Sequence, residues 1–300
     1  MRFFKVLQPV LSRTLDEICR TYGLNRSDAF SRVEAFVKAN SENWRLDEPN
    51  IKYEEPLCRM AYLYMNVAVH AHLVETALTQ FDQLGQTIRE KISKGEELRV
   101  CALGGGPGSE LLGLVRYVES LNAVDKPAYI DFVLVDRIKE WDESWHALKT
   151  GIDSYFRENC GSDRSQWPVA ISRSFLPLDA SDPTEFENFA TRFAGIDVFL
   201  VCYLASELKA KMSQFRQVLE VLLQRANSGA WLLFVDRDER VVREAVVDLI
   251  QNMRALSLNG IVEHRGQLQE SLEELGEWFI NIEPLPRQRW LAFFALARKD

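Results

Sequence analysis

The sequence predicts an α/β fold: a doubly wound, mostly parallel seven-stranded sheet with a C-terminal antiparallel hairpin strand, plus an N-terminal helical extension. Three observations carry this expectation. From Leu98 onward, short apolar runs alternate with helix-length segments, the signature of successive β-α-β units. Several of the runs are apolar throughout, as expected of parallel strands covered on both faces. The last two strand candidates are joined by a link too short for a crossover helix, so the final strand should run antiparallel. Residues 1–94 lack such runs and read as helices, which divides the chain into a helical region, 1–94, and a sheet region, 95–300.

Taken in order, "NRSDAFSRVEAFVKAN" sets Phe30, Val33, Phe36 and Val37 on one helical stripe behind polar capping candidates. A charged, turn-rich stretch follows, "SENWRLDEPNIKYEEP". Pro56 can open a long helix to about Phe81, with Leu57, Met60, Ala61, Tyr64 and Ala68 on one face. The segment "QTIREKISKGEE" is a shorter amphipathic helix. Strands are expected at Leu98–Leu103, Ile130–Asp136, Val169–Phe175, Ile196–Cys202 and Trp231–Asp236, with helices such as "IKEWDESWHALKTGIDSYFREN" between them. The closing hairpin is expected from Trp278–Ile282 and Trp290–Ala297, with Pro284 and Pro286 in the link.

Composition bounds the function. At 300 residues, 47% hydrophobic and 27% charged, the chain is ordinary globular protein. No apolar run approaches the roughly 18 residues of a membrane helix. The N-terminal "MRFFKVLQPVLSRTLDEICRTYG" is interrupted by Lys5 and Arg13 and is not expected to act as a signal peptide. The five cysteines, Cys19, Cys58, Cys101, Cys160 and Cys202, are scattered without CxxC spacing. That argues against a disulfide framework or a zinc site and suits a reducing compartment, cytoplasmic or nuclear. A net charge of −8 disfavours a partner held mainly through phosphates. His70 and His72, two residues apart on a helix, point to different sides and cannot chelate one ion, so no metal site is expected.

The most informative stretch is "LRVCALGGGPGSELLGLV", where a strand collapses into glycines before a helix begins. Such a loop lets a ligand approach the backbone, and the helix start offers free N–H groups. A Walker A loop would need Lys-Ser/Thr after its last glycine, and none is there. The dinucleotide fingerprint would need a third glycine where Ser109 stands. The spacing is GxGxG.

That spacing resembles motif I of the class I, seven-stranded, Rossmann-like S-adenosylmethionine-dependent methyltransferases, and the resemblance covers roughly residues 95–300. It implies that Gly104, Gly105, Gly106 and Gly108 lie against the methionine part of S-adenosyl-L-methionine. Asp136, ending "FVLVDR", matches the family's ribose-binding carboxylate, with Arg137 beside it. In "FLPLDASDP", Asp179 matches the residue that binds the adenine amino group, with Leu178 and Ala180 adjacent. The antiparallel closing hairpin is the family's topological signature. Ala102 stands where many members carry an acidic residue, so contacts to the methionine amino group must come from backbone carbonyls or another side chain; Glu110 is a candidate, and a first-turn carboxylate favouring the helix dipole is its alternative reading. Cys202 and Tyr203 complete the implied cofactor set.

The resemblance places the methyl acceptor near the end of the fourth strand, "DVFLVCYLASELKAK". The Asn-Pro-Pro-Tyr element of amine-methylating branches is absent. Tyr203, Ser206 and Glu207 are the catalytic candidates, although Ser206 and Glu207 also suit a helix start. Asp236, Arg237 and Asp238 end the fifth strand on the same edge, as pocket lining or as a solvated loop. Trp141 and Trp145 could cover an adenine or pack in the core. Tyr62, Tyr64 and Met65 likewise suit either a lid or the core. Two readings follow: a methyltransferase acting on a small molecule or protein in preference to RNA, or a non-catalytic S-adenosylmethionine-binding sensor.

Overall fold

The computed structural model describes residues 1–43, 51–121 and 127–300. Four helices come first: α1 (Phe3–Tyr22), α2 (Arg26–Asn43), α3 (Pro56–Gln80) and α4 (Asp82–Ser93). Part of the expected turn-rich stretch, residues 44–50, lies outside the described residues. Val33 and Val37 of the predicted α2 stripe are buried, and Phe30 and Phe36 pack partly buried beside them. Pro56 does open α3, where a missing N–H costs nothing. The alternation then runs β1 (Leu98–Leu103), α5 (Ser109–Ser120), β2 (Ala128–Val135), α6 (Trp141–Cys160), β3 (Val169–Leu176) and α7 (Pro183–Asn188). It continues with β4 (Val198–Cys202), α8 (Leu204–Glu207), α9 (Met212–Arg225), β5 (Trp231–Arg237), α10 (Arg240–Gln251), β6 (Leu256–Gln267) and β7 (Arg289–Lys299).

The seven strands form one sheet in the order β3-β2-β1-β4-β5-β7-β6. All pairs among β1 to β5 are parallel, and β7 is antiparallel to both β5 and β6. Strand periodicity divides the core. Leu98, Val100 and Ala102 of β1 pack with the helices up to α6, while Cys101 and Leu103 pack with those from α7 to α10. The N-terminal helices share the first of these cores. Gly113 of α5 makes that contact close, because a Cβ there would sit 2.2 Å from the Ala71 carbonyl oxygen of α3.

One expectation is corrected. The antiparallel partner of β7 is β6, Leu256–Gln267, and not Trp278–Ile282, so the hairpin is closed by a long connection (268–288) in place of a short one. Residues 278–282 use their apolar side chains elsewhere. Phe279 and Ile282 are buried, and their carbonyls accept from the Tyr64 hydroxyl at 3.1 and 3.2 Å. Trp278 packs edge-on against Phe30 of α2. The run covers helices instead of extending the sheet. Strand β6 was hidden because it is an edge strand that alternates exposed and half-buried residues, with a bulge near Gly260.

Candidate functional site

Strand ends β1, β2, β4 and β5 converge on the carboxyl edge of the sheet, where ligand crevices form in open α/β folds. After β1 the chain turns through Gly104, Gly106 and Gly108, all with positive φ. At Gly108 the requirement is double: φ is +85°, and a Cβ would lie 2.3 Å from the buried Trp145 ring. Asp136, just past β2, ties this loop down. Its Oδ2 accepts from the Gly106 N–H at 3.0 Å and its Oδ1 from the Ile138 N–H at 2.9 Å. Burial pushes its carboxyl up to about 6, against those two bonds.

A cavity of about 540 Å³ opens beside the loop. Of the residues implied by the resemblance, Gly104, Asp136, Arg137, Leu178, Asp179 and Ala180 line it. Asp179 Oδ1 accepts from the Ser181 N–H at 2.8 Å and hydroxyl at 2.6 Å. Burial alone would raise the Asp179 carboxyl, but these bonds outweigh it and hold the group below its ordinary value. Gly105, Gly106 and Gly108 are buried in the loop. Glu110 and Cys202 lie buried together behind it, in side-chain contact. Glu110 takes a 3.3 Å bond from the Ser109 hydroxyl and forms no ion pair with a described cation; burial lifts its carboxyl to about 8.

A second cavity, about 370 Å³, adjoins the first and shares Tyr53 and Glu207 with it. Here the structure brings all three catalytic candidates, Tyr203, Ser206 and Glu207, to one wall. Tyr203 holds φ +57°, the one non-glycine with positive φ among the described residues, and stacks on His70 at 4.2 Å between ring centroids. Ser206 lies inside α8, whose N-cap is Tyr203, and is used structurally: its N–H donates to Asp236 Oδ2 at 2.9 Å and its hydroxyl to the Tyr203 carbonyl. Glu207 reaches solvent at the rim yet is walled in by protein, which pushes its carboxyl up to about 7. Asp236 is fully buried and lines neither cavity; its role is to hold α8. Arg237 does line the second cavity, and Asp238 pairs with Arg243 at 3.3 Å.

The opposite wall comes from α3. Tyr62, Asn66 and His70 face the cavity at i, i+4 and i+8. This polar stripe at helical spacing, on a mostly buried helix, is the signal in the sequence that marks this wall. Tyr64 and Met65 belong to the core, whereas Tyr62 belongs to the site. Tyr62, Tyr53 and Trp141 form a three-ring cluster with centroids 5.2 to 5.6 Å apart, next to Gly106. The buried Arg59 fixes Tyr53 by donating to its carbonyl at 3.0 Å and to the Glu143 carboxylate at 2.8 Å. Trp145 packs in the core against Phe132. Tyr53 and Arg287 carry no local sequence signal, since both come from loops.

Among the described residues no group of three or more His, Cys, Asp or Glu side chains could hold a metal ion. None of their helices is long and apolar enough to cross a membrane.

Strand order β3-β2-β1-β4-β5-β7-β6, with β7 inserted antiparallel, decides the fold. It is the class I methyltransferase fold. Solved structures similar to this chain include the N-methyltransferase NodS from Bradyrhizobium japonicum, in complex with S-adenosylhomocysteine, at 14% identity and a TM-score of 0.39. That match covers 88% of this chain and 98% of NodS. The mitomycin 7-O-methyltransferase MmcR matches at 14% identity and a TM-score of 0.46, over 88% of this chain and 67% of MmcR. An rRNA methylase from Streptococcus thermophilus matches at 12% and 0.36, over 68% and 87%. No protein-family model and no curated protein matches the sequence. The fold assignment rests on the strand order and not on these similarities.

Proposed function

We propose that the protein is an S-adenosyl-L-methionine-dependent methyltransferase, with the cofactor in the larger cavity and the acceptor in the smaller one. The observation that carries this reading is the pair of adjoining cavities at the carboxyl edge, sharing Tyr53 and Glu207. The residues present fit the cofactor. Asp136 stands where ribose hydroxyls would donate, and a carboxylate that already accepts two N–H bonds retains capacity for them. Asp179, Leu178 and Ala180 suit an adenine edge and face. Glu110, buried with no ion pair to a described cation, suits the α-ammonium of the methionine moiety, in place of the acidic residue absent at position 102.

When bound, the cofactor supplies an electrophilic methyl group, so the protein's work is alignment and proton removal. Tyr53 and Glu207, shared by both cavities, border the path between them. A carboxyl of about 7 suits a general base operating near neutrality, and Glu207 is the one catalytic candidate with that property. The helices of 1–94 supply the acceptor wall through Tyr62, Asn66 and His70.

The test is calorimetric titration with S-adenosylmethionine, S-adenosylhomocysteine and NAD. Binding of the two sulfur nucleotides without NAD is expected. Binding of NAD alone would overturn the reading. Radiolabelled methyl transfer in a cell extract then separates an enzyme from a sensor, since a sensor binds tightly and yields no labelled product.

A further inference from the structure

We infer that the smaller cavity takes a small acceptor carrying an anionic oxygen group, which Arg237, Arg287 and Asn66 bind while Glu207 faces the methyl-accepting atom. This rests on the methyltransferase reading of the two cavities and deepens it by naming the acceptor's chemistry.

The cavity is built from five stretches that converge: the loop before α3, α3, α8, the end of β5 and the loop before β7. Its volume is in the range of small-molecule sites rather than of a polymer groove. Two guanidinium groups face it. Arg237 comes from β5, and Arg287 comes from a loop whose backbone N–H is pinned to the Met65 carbonyl of α3 at 3.1 Å. Burial disfavours the Arg287 charge, and the nearby Arg237 guanidinium adds to that cost.

Two buried donors in this cavity lack acceptors among the described residues. Asn66 is 2% exposed, and its Nδ2 has no hydrogen-bond partner among the described residues. Arg237 Nε is likewise buried without one. Buried N–H groups are nearly always satisfied, and an unpaired one costs about 1–3 kcal/mol. Donors left open from two different elements, around one cavity, ask for an oxygen acceptor from outside.

The acidic groups in the cavity do not meet that need. Glu239 lies exposed, 3.5 Å from Arg237 Nη1, and bonds neither Asn66 nor Arg237 Nε. Glu207 sits on the wall shared with the cofactor cavity. His70 is kept neutral by burial and stacks on Tyr203. The cavity therefore holds two permanent cations against one exposed carboxylate and Glu207, which divides it into a cationic anchor and a basic end. Carboxylate and phosphate share the chemistry that guanidinium recognises, as two-point hydrogen-bonded ion pairs.

The test uses protein loaded with S-adenosylhomocysteine and three probes of similar shape: benzoate, phenyl phosphate and the neutral benzamide. Calorimetry is expected to show at least one anion binding about tenfold or more tightly than benzamide. Arg237→Gln and Arg287→Gln should each abolish that preference, and Arg287→Lys should restore part of it. S-adenosylhomocysteine affinity, measured on the same variants, should stay within about twofold of wild type, which also reports that each is folded. Equal binding of anions and amide, an anion preference that survives both Gln substitutions, or no anion binding up to about 10 mM would each overturn the inference. If wild-type protein fails to bind S-adenosylhomocysteine, the methyltransferase reading fails instead, and the anion preference remains measurable on the unloaded protein.

Discussion

Cofactor binding should release a proton from Glu110. Its carboxyl is fully buried in contact with Cys202 and Ser109, and burial raises it from 4.5 to about 8. At pH 7 it is then about nine-tenths protonated. An ammonium placed beside it would restore its ordinary acidity, because an opposite charge at close range favours the ionised form. Glu110 should therefore give up about 0.9 proton when S-adenosylhomocysteine binds at pH 7. The ligand's α-amino group, with an ordinary pKa of about 8, takes up about 0.1, a net release of about 0.8. At pH 8 the two terms are each about 0.5 and nearly cancel. Calorimetric titrations in buffers of different ionisation enthalpy read this number directly. Glu110→Gln should bind more weakly and release almost none.

The same shift sets the pH dependence of the ligand-free protein. An acid whose folded value is raised contributes stability that is complete below 4.5 and lost as pH rises through about 8. The shift corresponds to at most about 5 kcal/mol across that window. Glu110→Gln should remove this slope and melt higher than wild type above pH 8. Tight cofactor binding at pH 7 with a heat that does not depend on buffer would refute the ammonium assignment, because Glu110 would then stay protonated or lie away from the charge.

Other expectations follow from the loop and the core. Asp136→Ala should weaken cofactor binding by about 1.5–3 kcal/mol and also lower the melting temperature, since the Gly106 and Ile138 N–H groups lose their acceptor; unchanged affinity in a folded variant would confine Asp136 to loop bracing. At Gly106 a Cβ would make ordinary van der Waals contact with Trp141 at 3.7 Å, but φ is +48°, so Gly106→Ala should cost about 1–2 kcal/mol of ligand-free stability and valine more, read by denaturant titration. Gly113→Val should be far more damaging, a loss of several kcal/mol or failure to fold, because its Cβ would meet the Ala71 carbonyl of α3; a mild effect would show that the two helices can separate.

The parallel part of the sheet was readable because each strand is short, apolar and bounded by turn residues. The proposed cofactor site was readable for a related reason: its ligands lie at strand ends, at Gly104, Asp136 and Asp179, where position along the chain fixes position in space. The second cavity had no such index. Tyr53, Asn66, Glu207, Arg237 and Arg287 come from five separate stretches and meet only through tertiary packing. Composition misled at residues 278–282, where aromatic and β-branched side chains suit a strand equally well as a cover for α2 and α3. Pro284 and Pro286 were the evidence against a tight hairpin. At β6, the interior Gly260 and polar alternation concealed a strand that one side of the sheet leaves open.

Helix α3 ties the N-terminal helices to the proposed site. Most of its residues are buried, so it is held as a core element, yet Tyr62, Asn66 and His70 run as a polar line along it. Gly113 allows it close to α5, which begins at the glycine loop. That closeness puts His70 in stacking contact with Tyr203, at the end of β4. Tyr203 needs the help: a left-handed conformation in a bulky residue costs about 1–3 kcal/mol, and an aromatic stack returns about 0.5–1.5 kcal/mol of it. The left-handed turn at Tyr203 is what starts α8 immediately after β4, and α8 carries Glu207 to the wall between the cavities. A helix from the N-terminal segment thus sets the position of the proposed base, although it supplies no strand to the sheet on which that base stands.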